Sequence, residues 1–166
     1  MNHMIYNMRL LTAGLAALGL AACATAQPQT GTAPAAASDQ SLRQRLGVLP
    51  PQALEAGACG LFLWARDSRA DLVFFTSDSD SQAHIAFDGR AMALPRTLAD
   101  GEFLFGQYTR QQFAGDALNL SLAVQPDAQS RMIGGTVVRH GTLSIEDAKG
   151  WSIVMPVAGM IACKSA

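Results

Sequence analysis

The sequence predicts a mainly β protein. Its 166 residues contain one predicted antiparallel domain, residues 39–166, which forms a barrel or sandwich of about eight short strands after one or two short helices. Short apolar runs recur about every 8 to 12 residues with turn residues between them, the spacing typical of these folds. From Leu118 to Val124, large apolar residues alternate with small or polar ones, which is the period of a strand with one solvated face. No long segment has a helical period, so a parallel sheet with helical crossovers is not predicted.

The predicted helices come first. Ser38 or Asp39 can cap a short helix that ends at Gly47, since a small polar residue begins a helix and glycine often follows its end. The pair Pro50-Pro51 stops that helix and favours a second helical turn through residues 52–56. The β pattern begins after this region, at Gly60.

Apolar runs and turn signals then alternate to the end of the chain. The predicted strands lie within residues 61–64, 72–75, 84–87, 92–94, 103–105, 118–124, 136–138, 143–145 and 151–155. Asp88-Gly89 is the strongest hairpin signal, because both residues adopt positive φ readily. The other predicted turns are at residues 66–69, Asp100-Gly101, Gly115-Asp116, Pro126-Asp127, His140-Gly141 and Lys149-Gly150.

Residues 1–22 are predicted to be a signal peptide. Arg9 precedes an uncharged apolar run, Leu10 to Ala22, which ends on small residues before Cys23; this is the order of regions in a secretory signal. The run is about 13 residues long, whereas a helix needs about 20 to cross a hydrocarbon core. A transmembrane anchor is therefore not predicted.

The tetrapeptide Leu20-Ala21-Ala22-Cys23 resembles the lipobox of bacterial lipoproteins. The resemblance implies that Cys23 is acylated and becomes the first residue of a mature protein held permanently on a membrane. Ala24 stands where lipoproteins retained in the inner membrane carry aspartate, which implies the periplasmic face of the outer membrane. One alternative stays open: Ala24-Thr25-Ala26 before Gln27 also fits ordinary signal cleavage, which would release a soluble periplasmic protein.

Two further expectations concern the N-terminal region. Met8 is a candidate start beside Met1 and Met4, because Met8-Arg9-Leu10 opens a compact signal. Residues 23–38 are rich in Ala, Pro and Thr with no charge, and such a composition buries too little apolar surface to fold. We expect this segment to be a flexible tether between the membrane and the domain.

Cys59 and Cys163 are predicted to form a disulfide bond. They bracket the whole β region, and an oxidising compartment such as the periplasm favours their pairing. Closing a loop on the order of 100 residues stabilises a fold by roughly 4–5 kcal/mol. The alternative, in which one cysteine is a nucleophile or metal ligand, has less support because no Cys-x-x-Cys or Cys-x-x-His spacing occurs.

Charge and motifs narrow the function classes. The chain has 12 Lys+Arg against 13 Asp+Glu, without a basic stripe, so nucleic acid is not a predicted partner. His84 and His140 have no second histidine at metal-binding spacing, and no phosphate-binding glycine loop or Gly-x-Ser-x-Gly elbow occurs. Asp78-Ser79-Asp80 resembles the start of a calcium loop but lacks the later glycine and glutamate. We predict no cofactor, no metal and no catalytic residue.

Three aromatic residues are candidates for a binding surface: Trp64, Tyr108 and Trp151. On one sheet face they would form a platform for an envelope protein or a cell-wall partner. In the core, each would instead bury roughly 150–250 Å². Both interpretations stay open.

Two segments resemble known envelope proteins. The chain resembles small proteobacterial lipoproteins across residues 59–163, through the segments Cys59-Gly60-Leu61-Phe62-Leu63-Trp64 and Gly159-Met160-Ile161-Ala162-Cys163. This resemblance assigns no particular activity. The chain is also similar to the membrane-bound inhibitors of c-type lysozyme, which are lipid-anchored, disulfide-closed antiparallel β domains. It departs from them in its longer cysteine spacing. Gly106-Gln107-Tyr108 matches their Ser-Gly-x-x-Tyr-like inhibitory segment poorly, so no inhibitory residue is assigned.

Three functions follow, in order of support. The first is a non-catalytic binding or structural module, anchored through Cys23 at the periplasmic face of the outer membrane. The second is an inhibitor of a lysozyme-like hydrolase. The third is a small periplasmic hydrolase that uses His84 or His140 with a nearby acid.

Overall fold

A computed structural model describes residues 42–67 and 69–166, except the side chains of residues 128, 131 and 132. Eight antiparallel strands form a closed barrel in which each strand pairs with the next and the last pairs with the first. The mainly β class and the number of strands are confirmed, and the fold is the barrel rather than the sandwich. Within these residues, no helix has the length and hydropathy that a membrane span requires. The strands are β1 Cys59–Ala65, β2 Leu72–Ser77, β3 Gln82–Phe87, β4 Arg90–Leu104, β5 Gln107–Ala114, β6 Leu118–Met132, β7 Gly135–Asp147 and β8 Ser152–Cys163.

Inward-facing side chains fill the barrel. On β6 the predicted alternation from Leu118 to Val124 holds, because every second residue is buried and those between are exposed. These residues join one large hydrophobic core with Phe74 of β2 and Phe113 of β5, whose rings meet edge to face at 5.6 Å. The interior of the barrel is therefore its hydrophobic core.

The first and last strands close the barrel. Their residue pairs run from Cys59 opposite Cys163 to Ala65 opposite Val157. A disulfide bond joins Cys59 to Cys163, which are 104 residues apart in sequence. The predicted bond is therefore present, at one end of the seam between β1 and β8.

Gly159 allows the two strands of this seam to approach each other. It lies opposite Leu63 of β1, and a Cβ atom at this position would lie 1.8 Å from the carbonyl oxygen of Phe62. Such an approach is far inside van der Waals contact. A residue without a side chain is thus required where β8 crosses β1.

The N-terminal strap, residues 46–58, completes the barrel wall. β2 and β3 pair at only two positions, and the strap lies between them beyond that point. The N–H of Gly47 donates to the carbonyl of Ala86 on β3, and the N–H of Leu49 donates to that of Leu72 on β2. The strap thereby supplies partners to backbone groups that the two diverging strands do not supply to each other.

The predicted second helical turn, residues 52–56, is wrong. The described chain has one helical turn, at 42–45, and the strap that follows is not helical. Leu49 and Leu54 of the strap pack in a second hydrophobic cluster on the outer wall, against Phe75. Those contacts, with the hydrogen bonds to β2 and β3, outweigh the local preference for a helix after the two prolines.

Three predicted turns lie inside strands. Asp100-Gly101, Pro126-Asp127 and His140-Gly141 fall within β4, β6 and β7, where the pairing register shifts. At a β-bulge an extra residue bends the strand without ending it, so turn-forming residues are tolerated there. The Asp88-Gly89 hairpin is confirmed, with φ of 50° and 73°.

A single helical turn, residues 42–45, covers one end of the barrel. Its Leu42 is 1% exposed and belongs to the core. Arg45 donates to both carboxylate oxygens of Asp88, each at 2.8 Å, and to Asp147 at 3.2 Å. These charge-assisted hydrogen bonds fix the helical turn on the barrel.

Polar side chains close the opposite end. Gln107 and Gln111 are each 1% exposed. The half-buried Arg96 donates to Oε1 of Gln111 at 3.0 Å and to Oγ of Ser81, while Gln107 donates to the carbonyl of Cys59. Because this arginine has neutral acceptors from β5 and from the β2–β3 turn, we assign it to closure of the barrel end.

Gly159→Ala is expected to destabilise the protein by more than about 2 kcal/mol, because overpacking forces backbone shifts. The added Cβ can be accommodated only by separating β8 from β1. The control is Ala158→Ser at the neighbouring, half-buried position, which leaves the strand spacing unchanged. Denaturant unfolding of the oxidised protein measures the difference, and equal stability of the two variants would contradict this account of the seam.

Asp147→Asn is expected to lower stability at neutral pH and to weaken its dependence on acid. Burial alone would raise the pKa of Asp147, but the N–H groups of Lys149 and Trp151 and the Arg45 guanidinium hold that pKa below its ordinary value. A carboxyl with a lowered folded-state pKa stabilises the fold above its unfolded pKa of about 3.9, and this contribution disappears as pH falls through the folded value.

The measurement is urea unfolding at pH 7 and near pH 3, where the variant is expected to take up fewer protons on unfolding, by up to about one. The control is Asp116→Asn, at an exposed position before β6 where no side-chain hydrogen bond is found among the described residues. If Asp147→Asn and the parent protein lose the same stability on acidification, the role given to Asp147 is wrong.

Candidate functional site

The outer wall over β5 to β8 carries a groove. The surface is concave there because the side chains on the groove floor are small: Ala123 on β6 lies opposite Thr142 on β7. Arg110 on β5 lies on one side of the groove, and Arg66, just after β1, lies on the other. The groove has a volume of about 490 Å³ and is lined by Arg66, Thr109, Arg110, Ala123, Val124, Gln125, His140, Gly141, Thr142 and Pro156.

Arg66 and His140 contact each other in this groove. Nη1 of Arg66 and Nδ1 of His140 are 3.1 Å apart. A guanidinium group only donates, so Nδ1 of His140 is the acceptor in this hydrogen bond. Among the described residues, Arg66 has no carboxylate partner. Its remaining N–H groups are therefore available to an acceptor in the groove.

A bulge directs His140 outward. The register of β7 against β8 shifts between Val138 and Gly141, and the two residues between them, Arg139 and His140, are both exposed. Adjacent residues of a regular strand face opposite sides. Without the bulge, one of these two basic side chains would point into the hydrophobic core.

Two neighbouring arginines are already paired with carboxylates. Arg110 donates to Asp100 through Nε at 3.0 Å, and this hydrogen bond is the main reason that the pKa of Asp100 is lowered. Arg139 donates to Asp127 and lowers the pKa of that carboxyl in the same way. Both carboxylates stay ionised at neutral pH, so within the described part of the chain Arg66 carries the unbalanced positive charge of the groove.

The structure does not bring the three predicted aromatic residues together. Trp64 is half-buried on β1 and stacks on Phe62, with ring centroids 6.4 Å apart. Tyr108 is half-buried on β5 and packs on Phe103 at 4.7 Å. Trp151 is 45% exposed in the turn between β7 and β8. Sequence reasoning missed Phe103, which is 59% exposed.

The described geometry also bears on the hydrolase hypothesis. Nε2 of His84 lies 2.8 Å from Asp80, but neither side chain lines the groove. His140 does line the groove, and its side-chain partner there is Arg66. Within the described residues no three His, Cys, Asp or Glu side chains are placed to hold a metal ion. The groove therefore offers cations and hydroxyl groups for binding rather than an acid–base pair.

The sequence analysis did not single out Arg66 or Arg110. Arginine is common on protein surfaces, and only the barrel topology places these two arginines on opposite sides of the groove floor. Ala123 and Thr142 could be assigned to outward positions from the alternation of β6 and β7. The disulfide cysteines were predicted, whereas Cys23 lies outside the described residues. Comparison with protein families, curated proteins and solved structures finds no match to this chain.

Proposed function

We propose that this protein is a lipid-anchored component of the periplasmic face of the outer membrane and acts there as a non-catalytic binding module. One observation carries the binding role: the barrel interior is filled by its core, while the outer wall carries a groove with an arginine that has no carboxylate partner among the described residues. Recognition through the outer wall accounts for both features.

The proposed location rests on the sequence. Leu20-Ala21-Ala22-Cys23 supports acylation of Cys23, and Ala24 supports sorting to the outer membrane. A disulfide between Cys59 and Cys163 agrees with an oxidising compartment. From Cys23 to Leu42 the chain reaches at most about 65 Å, so a groove on the domain would lie within reach of envelope components.

Acylation is expected to shift the mass of the protein isolated from native membranes. Intact mass spectrometry should give a chain that starts at Cys23 with added acyl chains, and reduction should add about two daltons as the disulfide opens. Cys23→Ser is the control, which should lose the acyl mass and leave the membrane fraction. A chain starting at Gln27 without lipid would instead support a soluble periplasmic protein.

A partner is expected to crosslink through the groove. A photoreactive amino acid at Ala123, on the groove floor, should capture an envelope component in intact cells. The matched control is Ala93, an exposed alanine on β4 beside His84 and outside the groove. Equal capture from both positions, or none from either, would count against binding through this surface.

A second candidate is an inhibitor of a lysozyme-like hydrolase. The closed antiparallel barrel and the disulfide between its end strands are the architecture that the resemblance to membrane-bound lysozyme inhibitors implies. The exposed Phe103 beside Tyr108 offers an aromatic contact near the β4–β5 turn, whereas Gln107 is buried. Lysozyme turnover with excess purified protein decides this candidate, since unchanged turnover removes it.

A further inference from the structure

The charge of the groove indicates an anionic occupant. Arg66, Arg110 and His140 line it, and none of its lining residues within the described part of the chain is acidic. Arg110 is shared with Asp100, whereas among the described residues the side-chain partner of Arg66 is His140. A planar guanidinium with several N–H groups available suits a carboxylate, which can accept two of them in parallel.

The rest of the surface suits a sugar chain. Thr142 and Gln125 lie in the groove. Its continuation along β6 and β7 is lined by Ser121 and Ser144, and also by Asp100, whose carboxylate is paired with Arg110. Hydroxyl and amide groups can both donate and accept hydrogen bonds, as the hydroxyl groups of a sugar do.

The topology restricts where an extended peptide can bind in the groove. Peptides that bind to sheets commonly add a strand at an unpaired edge, where main-chain hydrogen bonds provide affinity. In the closed barrel every strand has a neighbour on each side, but the pairing of β5 with β6 ends at Arg110 opposite Ala123, and β6 continues past this point. A peptide would add a strand only along that stretch, whereas the hydroxyl and amide side chains continue along β6 and β7.

We propose that the groove binds a cell-wall glycan strand whose attached substituents carry carboxylate groups. This inference rests on the binding function proposed above and names its ligand. Arg66 binds the carboxylate, and His140 is a positioning residue that holds the Arg66 guanidinium over the groove. The hydroxyl and amide groups of β6 and β7 bind the sugar hydroxyls.

The test uses the full-length protein in detergent and purified cell-wall sacculi, mixed at low salt and separated by sedimentation. Ala123→Glu is expected to weaken binding by at least about tenfold, since it places a carboxylate among the cations that would bind the ligand. Ala93→Glu makes the same change on β4, outside the groove, and should alter binding by less than about twofold. Circular dichroism verifies that both variants are folded.

Three further experiments identify the chemical groups that take part in binding. Sacculi with amidated carboxyl groups should bind the parent protein as weakly as native sacculi bind Ala123→Glu. Arg66→Gln should weaken binding about fivefold and reduce its salt dependence, as loss of one ionic contact does. His140→Asn, which keeps an acceptor for Arg66, should bind better than His140→Ala, whereas a merely structural role would give no such order.

The outcomes distinguish a failure of the glycan assignment from a failure of the proposed binding function. Equal binding of native and amidated sacculi, or of Ala123→Glu and the parent, overturns the carboxylate-glycan assignment. A protein captured from Ala123 in cells, without sacculus binding, also overturns it but leaves the binding module intact. No sacculus binding and no capture from Ala123 would defeat both.

Discussion

The pairing of β1 with β8 is the interaction on which the rest of the barrel depends. These strands are the two ends of the β region, so the chain must order about 100 residues before they meet, and that loss of chain entropy precedes the gain. The disulfide at Cys59 and Cys163 removes much of this cost from the unfolded state. Gly159 then permits the close approach of the two backbones. Covalent and steric features of the sequence thus act on the same seam.

Closure determines which surfaces of the barrel are open to contact with another molecule. A barrel of eight strands has an interior just wide enough for side chains, and here a continuous apolar core occupies it. Closure also leaves few of the free strand edges that many binding domains use. What remains is the outer wall, where the shape is set by side-chain size. Small residues on β6 and β7 between two arginines produce the concave surface.

Much of the fold follows from local sequence patterns, and the missed parts depend on contacts distant in sequence. Asp88-Gly89 forms a hairpin whose geometry its own two residues determine. Pro126-Asp127 and His140-Gly141 have similar turn chemistry, yet they form bulges, because pairing with both neighbouring strands continues past them. The strap fails as a helix for the same reason: Gly47 and Leu49 find their hydrogen-bond partners on β3 and β2. The groove likewise combines residues from five segments of the chain.

The bulge in β7 connects the fold to the proposed site. A regular strand would place Arg139 and His140 on opposite faces, with a basic group in the core, at a cost of several kcal/mol for a buried unpaired charge. The bulge exposes both residues, so Arg139 reaches Asp127 and His140 reaches Arg66. The lost ladder pairing is a smaller cost than a buried charge. The bulge also provides the contact that holds the Arg66 guanidinium at the groove. The irregularity of β7 therefore contributes both to the stability of the barrel and to its proposed ligand recognition.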